Sequence, residues 1–156
     1  MDIIGLILLL LVFWFNQSKP KNYVIFIVSI VYLLNMWVSQ SLLDRYLNDV
    51  LGYYVSQSVF EVIVVLMLLQ RPLVEGVVIM ALCLMAVLVN IAGFTLEILG
   101  QPMDELINFT MWGLFAAQLL VLFSTRIANG VFRGFTKLTL VRYFCVNYLK
   151  VNIKGQ

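Results

Sequence analysis

The longest apolar run in the chain is LVEGVVIMALCLMAVLVNIAGFTLEIL, which extends from Leu73 to Leu99. A helix that crosses the hydrocarbon core of a bilayer needs about 20 predominantly apolar residues, within a range of about 17–25. Only two residues of the run are charged, Glu75 near its start and Glu97 near its end. Its apolar residues are contiguous, whereas a strand of a membrane barrel alternates apolar with polar residues. The run therefore predicts a membrane-spanning α-helix.

Four further apolar segments accompany this run. Together they predict spans near residues 3–15, 22–39, 55–70, 72–99 and 104–124. The first is short, so it needs a thinned bilayer or neighbouring helices if it crosses at all. Pro20, Pro72 and Pro102 each precede an apolar segment, where the missing N–H of proline costs no helical hydrogen bond. The expected fold class is an all-α, polytopic transmembrane bundle of about five spans in one domain, residues 1–125.

The composition agrees with this expectation. Of the 156 residues, 63% are apolar and 12% are charged, and the mean hydropathy is +1.01. Soluble domains average about 45–50% apolar and about 25% charged residues. A chain of this size has too much surface relative to its volume to hide such an apolar excess from water. Hydrocarbon as the solvent removes that difficulty, provided that helices satisfy the backbone hydrogen bonds.

The basic residues predict an orientation, because Lys and Arg near the ends of spans favour the cytoplasmic side. With the N-terminus outside and five alternating spans, every basic residue except Arg45 lies on the inner side. Every acidic residue except Glu75 then lies on the outer side. A four-span version without residues 3–15 keeps the same sides for the rest of the chain. The expected orientation is N-terminus out and C-terminus in.

Residues 41–54, between the second and third segments, have apolar residues at helical spacing. Asp44, Arg45 and Asp49 fall on another part of the helical wheel. This pattern predicts an interfacial amphipathic helix on the outer membrane surface, or an extension of a neighbouring span.

Small and polar residues form a stripe along the 72–99 span, and a second stripe follows the 104–124 span. In lipid, small residues let helix backbones approach closely, and polar residues hydrogen-bond across the contact. We expect these two helices to pack antiparallel along the stripes; the alternative is that the stripes line a pore. The helix-packing or pore-lining candidates are Gly76, Cys83, Ala86, Asn90, Gly93, Glu97, Thr110, Gly113, Ala117 and Gln118.

Glu61 and Glu97 are the acidic residues expected within the spans. An ionisable side chain in a membrane is by default a functional-site hypothesis, because its burial is costly. Both are expected near the outer ends of their spans, where a carboxylate reaches interfacial water. Gln57 precedes Glu61 by one helical turn and is expected to hydrogen-bond it. A structural or interfacial role and an ion- or proton-binding role both stay open for these acids.

The chain carries no enzyme motif. It has no histidine, which is the commonest general base and metal ligand in proteins. It also lacks the GxSxG, P-loop and HExxH patterns. Cys83 and Cys145 are far apart and neither lies in a CxxC pair, so they predict two unpaired thiols. We therefore expect a non-enzymatic protein with no catalytic residues, no cofactor and no metal site.

Residues 126–156 form a basic, aromatic-rich tail on the cytoplasmic side. The tail has no acidic residue and six basic residues, namely Arg126, Arg133, Lys137, Arg142, Lys150 and Lys154. Each basic residue near an anionic leaflet contributes about 1 kcal/mol of attraction, so we expect the tail to lie on inner-leaflet lipids. A partner protein and single-stranded nucleic acid are the alternatives. Helix and strand predictions compete at its end, where apolar residues alternate.

Two functional hypotheses follow. The first is a structural or assembly subunit of a membrane complex, associated with itself or with other membrane proteins, as in the loop-poor membrane proteins of phages and viruses. The second is a holin-like pore former, a channel or a small transporter, which requires water along the stripe from Asn90 to Glu97 or beside Gln118. Either would reside in a cytoplasmic (inner) membrane or a viral membrane.

Overall fold

The structure is a computed structural model that describes residues 7, 22–38, 50–70, 73–101, 103–138, 143, 145 and 148. The described residues form five α-helices and contain no strand. The helices are α1 (Asn22–Val38), α2 (Val50–Leu68), α3 (Val74–Ile98), α4 (Asp104–Phe123) and α5 (Thr125–Phe135). The all-α prediction is confirmed for this part of the chain.

Within the described ranges, two helices are long and apolar enough to cross a membrane, Val74–Ile98 and Glu105–Phe123. The apolar stretches Asn22–Asn35 in α1 and Tyr54–Leu68 in α2 are shorter. The predicted first span, residues 3–15, lies outside the described residues except for Ile7.

The predicted amphipathic segment, residues 41–54, is described only from Val50 onward. Those last residues form the first turn of α2, so there the segment extends a neighbouring apolar helix. The rest of the predicted interfacial helix lies outside the described residues.

Helix α3 is central, because it packs against α2, α4 and α5. Helix α1 joins the bundle through α2, and α4 also contacts α5. The buried core draws apolar side chains from all five helices. Its most completely buried members include Val24, Ile25, Leu68, Val78, Ile79, Leu122 and Phe132.

Local signals in the sequence define where α3 begins and ends. Glu75 lies in its first turn, where a carboxylate interacts favourably with the positive end of the helix dipole. Gly100 follows the helix with φ +69°, a left-handed conformation that glycine adopts without a Cβ penalty. The N–H of Gly100 donates to Glu97 O and that of Gln101 to Leu96 O, both at 3.0 Å. These two bonds form a Schellman motif, which ends α3 sharply before the connection to α4.

Helix α5 also has a defined start. Ser124 separates it from α4 and caps it, because Ser124 Oγ accepts a hydrogen bond from the Ile127 N–H at 3.4 Å. Arg133 lies in the last turn, where a cation complements the negative end of the helix dipole. Ala128 and Phe132 are buried, so α5 lies against the ends of α3 and α4.

Candidate polar site in the helix bundle

Helices α1 to α4 surround a small cavity of about 40 Å³. A water molecule needs about 10–15 Å³ of such space, so the cavity has room for a few waters or one hydrated ion. Valines and Phe60 form the apolar part of its wall. The polar lining comes from one or two residues of each helix, namely Tyr32, Asn35, Glu61, Cys83 and Gln118. We call this set the polar site.

Glu61 occupies a deeper position than the sequence indicates. Helix α2 begins at Val50, earlier than the predicted span at residue 55, so Glu61 lies about three turns from its start and about two from its end. The interaction expected between Gln57 and Glu61 is also replaced by another one. Gln57 Oε1 instead accepts a hydrogen bond from Asn35 Nδ2 at 2.9 Å, which links α1 to α2.

Cys83 connects Glu61 to the fourth helix. Gln118 Nε2 donates to Cys83 Sγ at 3.7 Å, within the range for a sulfur acceptor. The Cys83 thiol and the Glu61 carboxyl group line the same cavity and interact there. Cys83 and Gln118 are buried, with 1% and 7% of their surface exposed. The three side chains form a continuous polar link from α2 through α3 to α4.

The predicted antiparallel contact between α3 and α4 is present. Cys83 meets Gln118 near one end of the contact, and Gly93 meets Ile107 near the other. The α3 stripe faces the interior over most of its length, since Gly76, Cys83, Ala86, Asn90 and Gly93 are all buried. Glu97, near the end of the helix, is half-buried.

Gly93 lies where three helices meet. A Cβ atom built on Gly93 would be 2.7 Å from Ile107 Cδ1 on α4 and 2.8 Å from Tyr54 Cε1 on α2. Carbon atoms in contact are normally about 3.5–4.0 Å apart. The absence of a side chain at residue 93 therefore permits the observed approach of α2 and α4 to α3.

The predicted stripe on α4 is only partly in the contact. Gln118 is buried and Ala117 is half-buried, but Gly113 is exposed, and a Cβ on it would meet none of the described atoms within 4 Å. Gly113 is five residues from Gln118, which turns it about 140° away around the helix. Thr110 is half-buried, and its hydroxyl donates to Leu106 O of its own helix at 2.7 Å.

Asn90 borders a second, larger depression. This groove between α2 and α3 has a volume of about 340 Å³, and apolar side chains such as Val55, Val59 and Ile91 form most of its wall. Asn90 is 1% exposed, and its Nδ2 has no hydrogen-bond partner among the described residues. A buried donor without an acceptor costs about 1–3 kcal/mol. The groove therefore contains one polar group whose hydrogen-bonding capacity is unused.

The described part of the tail presents its cations to the exterior. Arg126, Arg133 and Lys137 are exposed on and after α5, whereas Arg142, Lys150 and Lys154 lie outside the described residues. Cys145 is buried in the core, and burial raises the pKa of its thiol. Cys83 and Cys145 are both free.

The chain matches no known protein family, no curated protein and no solved structure. The described residues contain no group of three or more Cys, Asp or Glu side chains suited to a metal ion. Glu61, Cys83 and Gln118 were separate candidates from the sequence, whereas Asn35 and Tyr32 were not among the candidates. The sequence did contain a signal for Asn35, because it is an amide side chain surrounded by apolar residues in the second half of α1.

Proposed function

We propose that this chain is a small integral membrane protein that acts, without enzymatic activity, as a structural or assembly subunit of a membrane complex. The observation that carries the proposal is the apolar groove between α2 and α3 with the unpaired Nδ2 of Asn90 in its lining. The supporting considerations are the apolar outer surface of the bundle, the sidedness of its charges and the chemistry of this groove.

The outer surface of α4 supports a membrane environment. Leu106, Phe109, Trp112, Leu120 and Phe123 are all exposed, and Phe109 has 79% of its surface uncovered. Each Å² of apolar surface that stays exposed to water is less favourable by about 25 cal/mol than the same surface buried in an apolar environment. Hydrocarbon makes such a surface favourable. Helices α1 and α2, with 17 and 19 residues, lie within the length range of membrane spans. We therefore propose four spans, α1 to α4, and a fifth if residues 3–15 also cross the membrane.

The proposed orientation, N-terminus out and C-terminus in, predicts opposite sides for two exposed positions. Alkaline phosphatase fused after Gln101, between α3 and α4, is expected to be active because the enzyme folds only outside the cytoplasm. Green fluorescent protein fused after Leu138, beyond α5, is expected to fluoresce. Exchange of the two reporters between the positions is the matched control and should abolish both signals. The reverse pattern at both positions would contradict the orientation.

The groove supports association with another membrane helix. Its walls are apolar and half-exposed, so lipid or a second helix must cover them. Lipid tails offer no acceptor to Asn90 Nδ2, whereas a helix offers backbone carbonyl and side-chain oxygens. Hydrogen bonds between membrane helices average about 0.6 kcal/mol and reach about 1–2 kcal/mol. A neighbouring helix in the groove therefore covers the apolar wall, and it reaches the donor of Asn90, which is covered in the single copy, once the side chains around Asn90 shift. We take a second copy of the chain as the source of this helix.

Asn90→Leu is expected to weaken self-association of the chain about 3- to 30-fold, which corresponds to the loss of one such hydrogen bond. Single-molecule photobleaching of labelled protein in lipid bilayers measures the fraction of dimers and larger oligomers against dilution. Asn108→Leu is the matched control, because Asn108 is exposed on α4. A wild-type chain that stays monomeric, or an Asn90→Leu variant with unchanged association, would overturn the proposal.

A second candidate function, a holin-like pore former, channel or small transporter, is favoured by the polar site. Within one copy, Cys83, Ala86 and Asn90 are almost fully covered by their neighbours, so a continuous water path would need a rearrangement or several copies. Liposomes that contain the wild-type chain are expected to retain a trapped dye and a pH gradient under the first proposal. Leakage that Glu61→Gln alters would favour the second.

A further inference from the structure

We propose that the cavity beside Glu61 is a binding site for one monovalent cation, at which Na⁺ and a proton compete for the carboxylate. The inference rests on the charge, the oxygen atoms and the space at the polar site. It is independent of the assembly role, which rests on the groove at Asn90, about two turns from Cys83 along α3.

The charge of Glu61 requires a neutralising partner. An ionised carboxylate within an apolar helix bundle is costly unless a cation or a proton accompanies it. No Lys or Arg is among the described residues that line the cavity. The described cations Arg126, Arg133 and Lys137 are exposed on and after α5. The described residues therefore offer Glu61 no cationic side chain, and we assign its neutralisation to a small ion that enters from outside the protein.

The oxygen atoms around the cavity suit a hard monovalent cation. Gln118 uses its Nε2 as donor to Cys83, and its Oε1 takes part in no hydrogen bond among the described residues. Gln118 on α4 and Glu61 on α2 both line the cavity, so two helices contribute oxygen-bearing side chains to it. Carboxylate, carbonyl and water oxygens are the ligands that hard cations prefer. Two protein oxygen donors leave the remaining ligand positions to water.

The charge balance and the volume favour Na⁺ over a divalent ion. One carboxylate balances one positive charge, and the described residues offer no second carboxylate at the cavity. A space of about 40 Å³ holds the ion with one or two of its waters. The titratable groups that face Glu61 are Tyr32 on α1 and Cys83 on α3, while α4 contributes the neutral Gln118. Glu61 is therefore the only carboxylic acid of the described lining, and the exchange of Na⁺ for a proton is assigned to it.

A hydrophobic carbodiimide tests the site in the wild-type chain, because this reagent enters membranes and modifies protonated carboxyl groups. At pH 6 in lipid nanodiscs with N-methylglucamine as the only cation, we expect mass spectrometry to find the adduct on Glu61. Replacing N-methylglucamine by 100 mM Na⁺ at equal ionic strength is expected to slow the reaction at least fivefold. K⁺, which is larger, should slow it less. Absence of the adduct on Glu61, or a rate unaffected by Na⁺, would overturn the proposal.

Three variants test whether Glu61 and Gln118, and not a more distant acid, bind the Na⁺ ion. Glu61→Gln should lose the adduct. Gln118→Leu should keep the adduct but lose at least half of the protection by Na⁺, because it removes an oxygen ligand and not the carboxyl group. Glu97→Gln, which removes the acid near the end of α3, is the matched control and should change neither result. Full protection by Na⁺ in Gln118→Leu would contradict the proposed coordination.

Discussion

Gly93→Ala is expected to destabilise the helix bundle by about 1–3 kcal/mol, the usual cost of forcing an extra methyl group into a packed interior. In a helix without such contacts, the same exchange is stabilising by about 0.5–1 kcal/mol, because alanine loses less backbone entropy than glycine. The added Cβ would meet Ile107 Cδ1 at 2.7 Å and Tyr54 Cε1 at 2.8 Å. The Ile107 methyl group can rotate away, but the Tyr54 ring is rigid and buried. The steric term therefore exceeds the gain in helix propensity.

Equilibrium unfolding in mixed micelles, followed by circular dichroism, measures the change. Gly113→Ala is the matched control, because a Cβ at residue 113 would meet none of the described atoms within 4 Å. This control is expected to be neutral or stabilising. Ile107→Val removes the nearest methyl group, so the double variant should recover part of the stability lost in Gly93→Ala. Equal effects of the exchange at residues 93 and 113 would show that Gly93 does not set the helix separation.

The contrast between these two glycines shows what the sequence could and could not predict. Both belong to stripes of small residues for which the spacing predicted a helix-packing or pore-lining role, and in the structure Gly93 lies against Ile107 and Tyr54 of two other helices. The periodicity of a helix fixes which residues share a face, but it does not fix the rotation of that face toward a neighbour. On α4 the buried face passes through Ile107, Phe115 and Gln118, and Gly113 lies on the opposite side. Only the packing of the large side chains determines that rotation.

The polar site was missed for a related reason. The sequence identified Glu61 as an acid within a span, but the predicted start of that span placed it near the outer end. In the structure α2 begins at Val50, five residues before the predicted start of the span, so Glu61 lies in the middle part of the helix. Its side chain is there at the same level of the bundle as Cys83 and Gln118. Contacts among residues from α1, α2, α3 and α4 depend on how far each helix is displaced along its axis. That displacement follows from loops and side-chain packing and has no signature in the composition of any single helix.

The tail gives a third comparison. Its charge predicted a segment that lies on lipid, and the exposure of Arg126, Arg133 and Lys137 is compatible with that proposal. The sequence did not predict that the first part of the tail packs against the bundle. Phe132 is 1% exposed and belongs to the same core as Leu122 on α4. A glycine-containing stretch such as TRIANGVFRGF has low helix propensity. Helix α5 therefore depends on its cap at Ser124 and on this tertiary contact.

Phe132→Ala is accordingly expected to release α5 from α3 and α4, with a loss of about 3–5 kcal/mol of stabilising contact, the range for buried phenylalanine. Trypsin cleaves after Arg126 and Arg133, both exposed, but it requires an extended backbone that a packed helix denies it. Cleavage at these arginines, followed by mass spectrometry in nanodiscs, is expected to accelerate at least tenfold in Phe132→Ala. Val131→Ala is the matched control, because Val131 lies next in sequence but is 37% exposed.

The same measurement distinguishes packing from lipid attraction as the force that holds α5. If packing dominates, cleavage of Phe132→Ala is fast in both neutral and anionic nanodiscs, since lipid charge cannot replace the lost aromatic contact. If attraction between the basic residues and anionic lipid dominates, anionic nanodiscs protect Phe132→Ala as well as the wild-type chain, and high salt removes the protection. We expect the first result, because the buried faces of Ala128 and Phe132 contact the protein while the arginines remain exposed. Protection of Phe132→Ala by anionic lipid alone would assign the anchoring of α5 to the membrane surface.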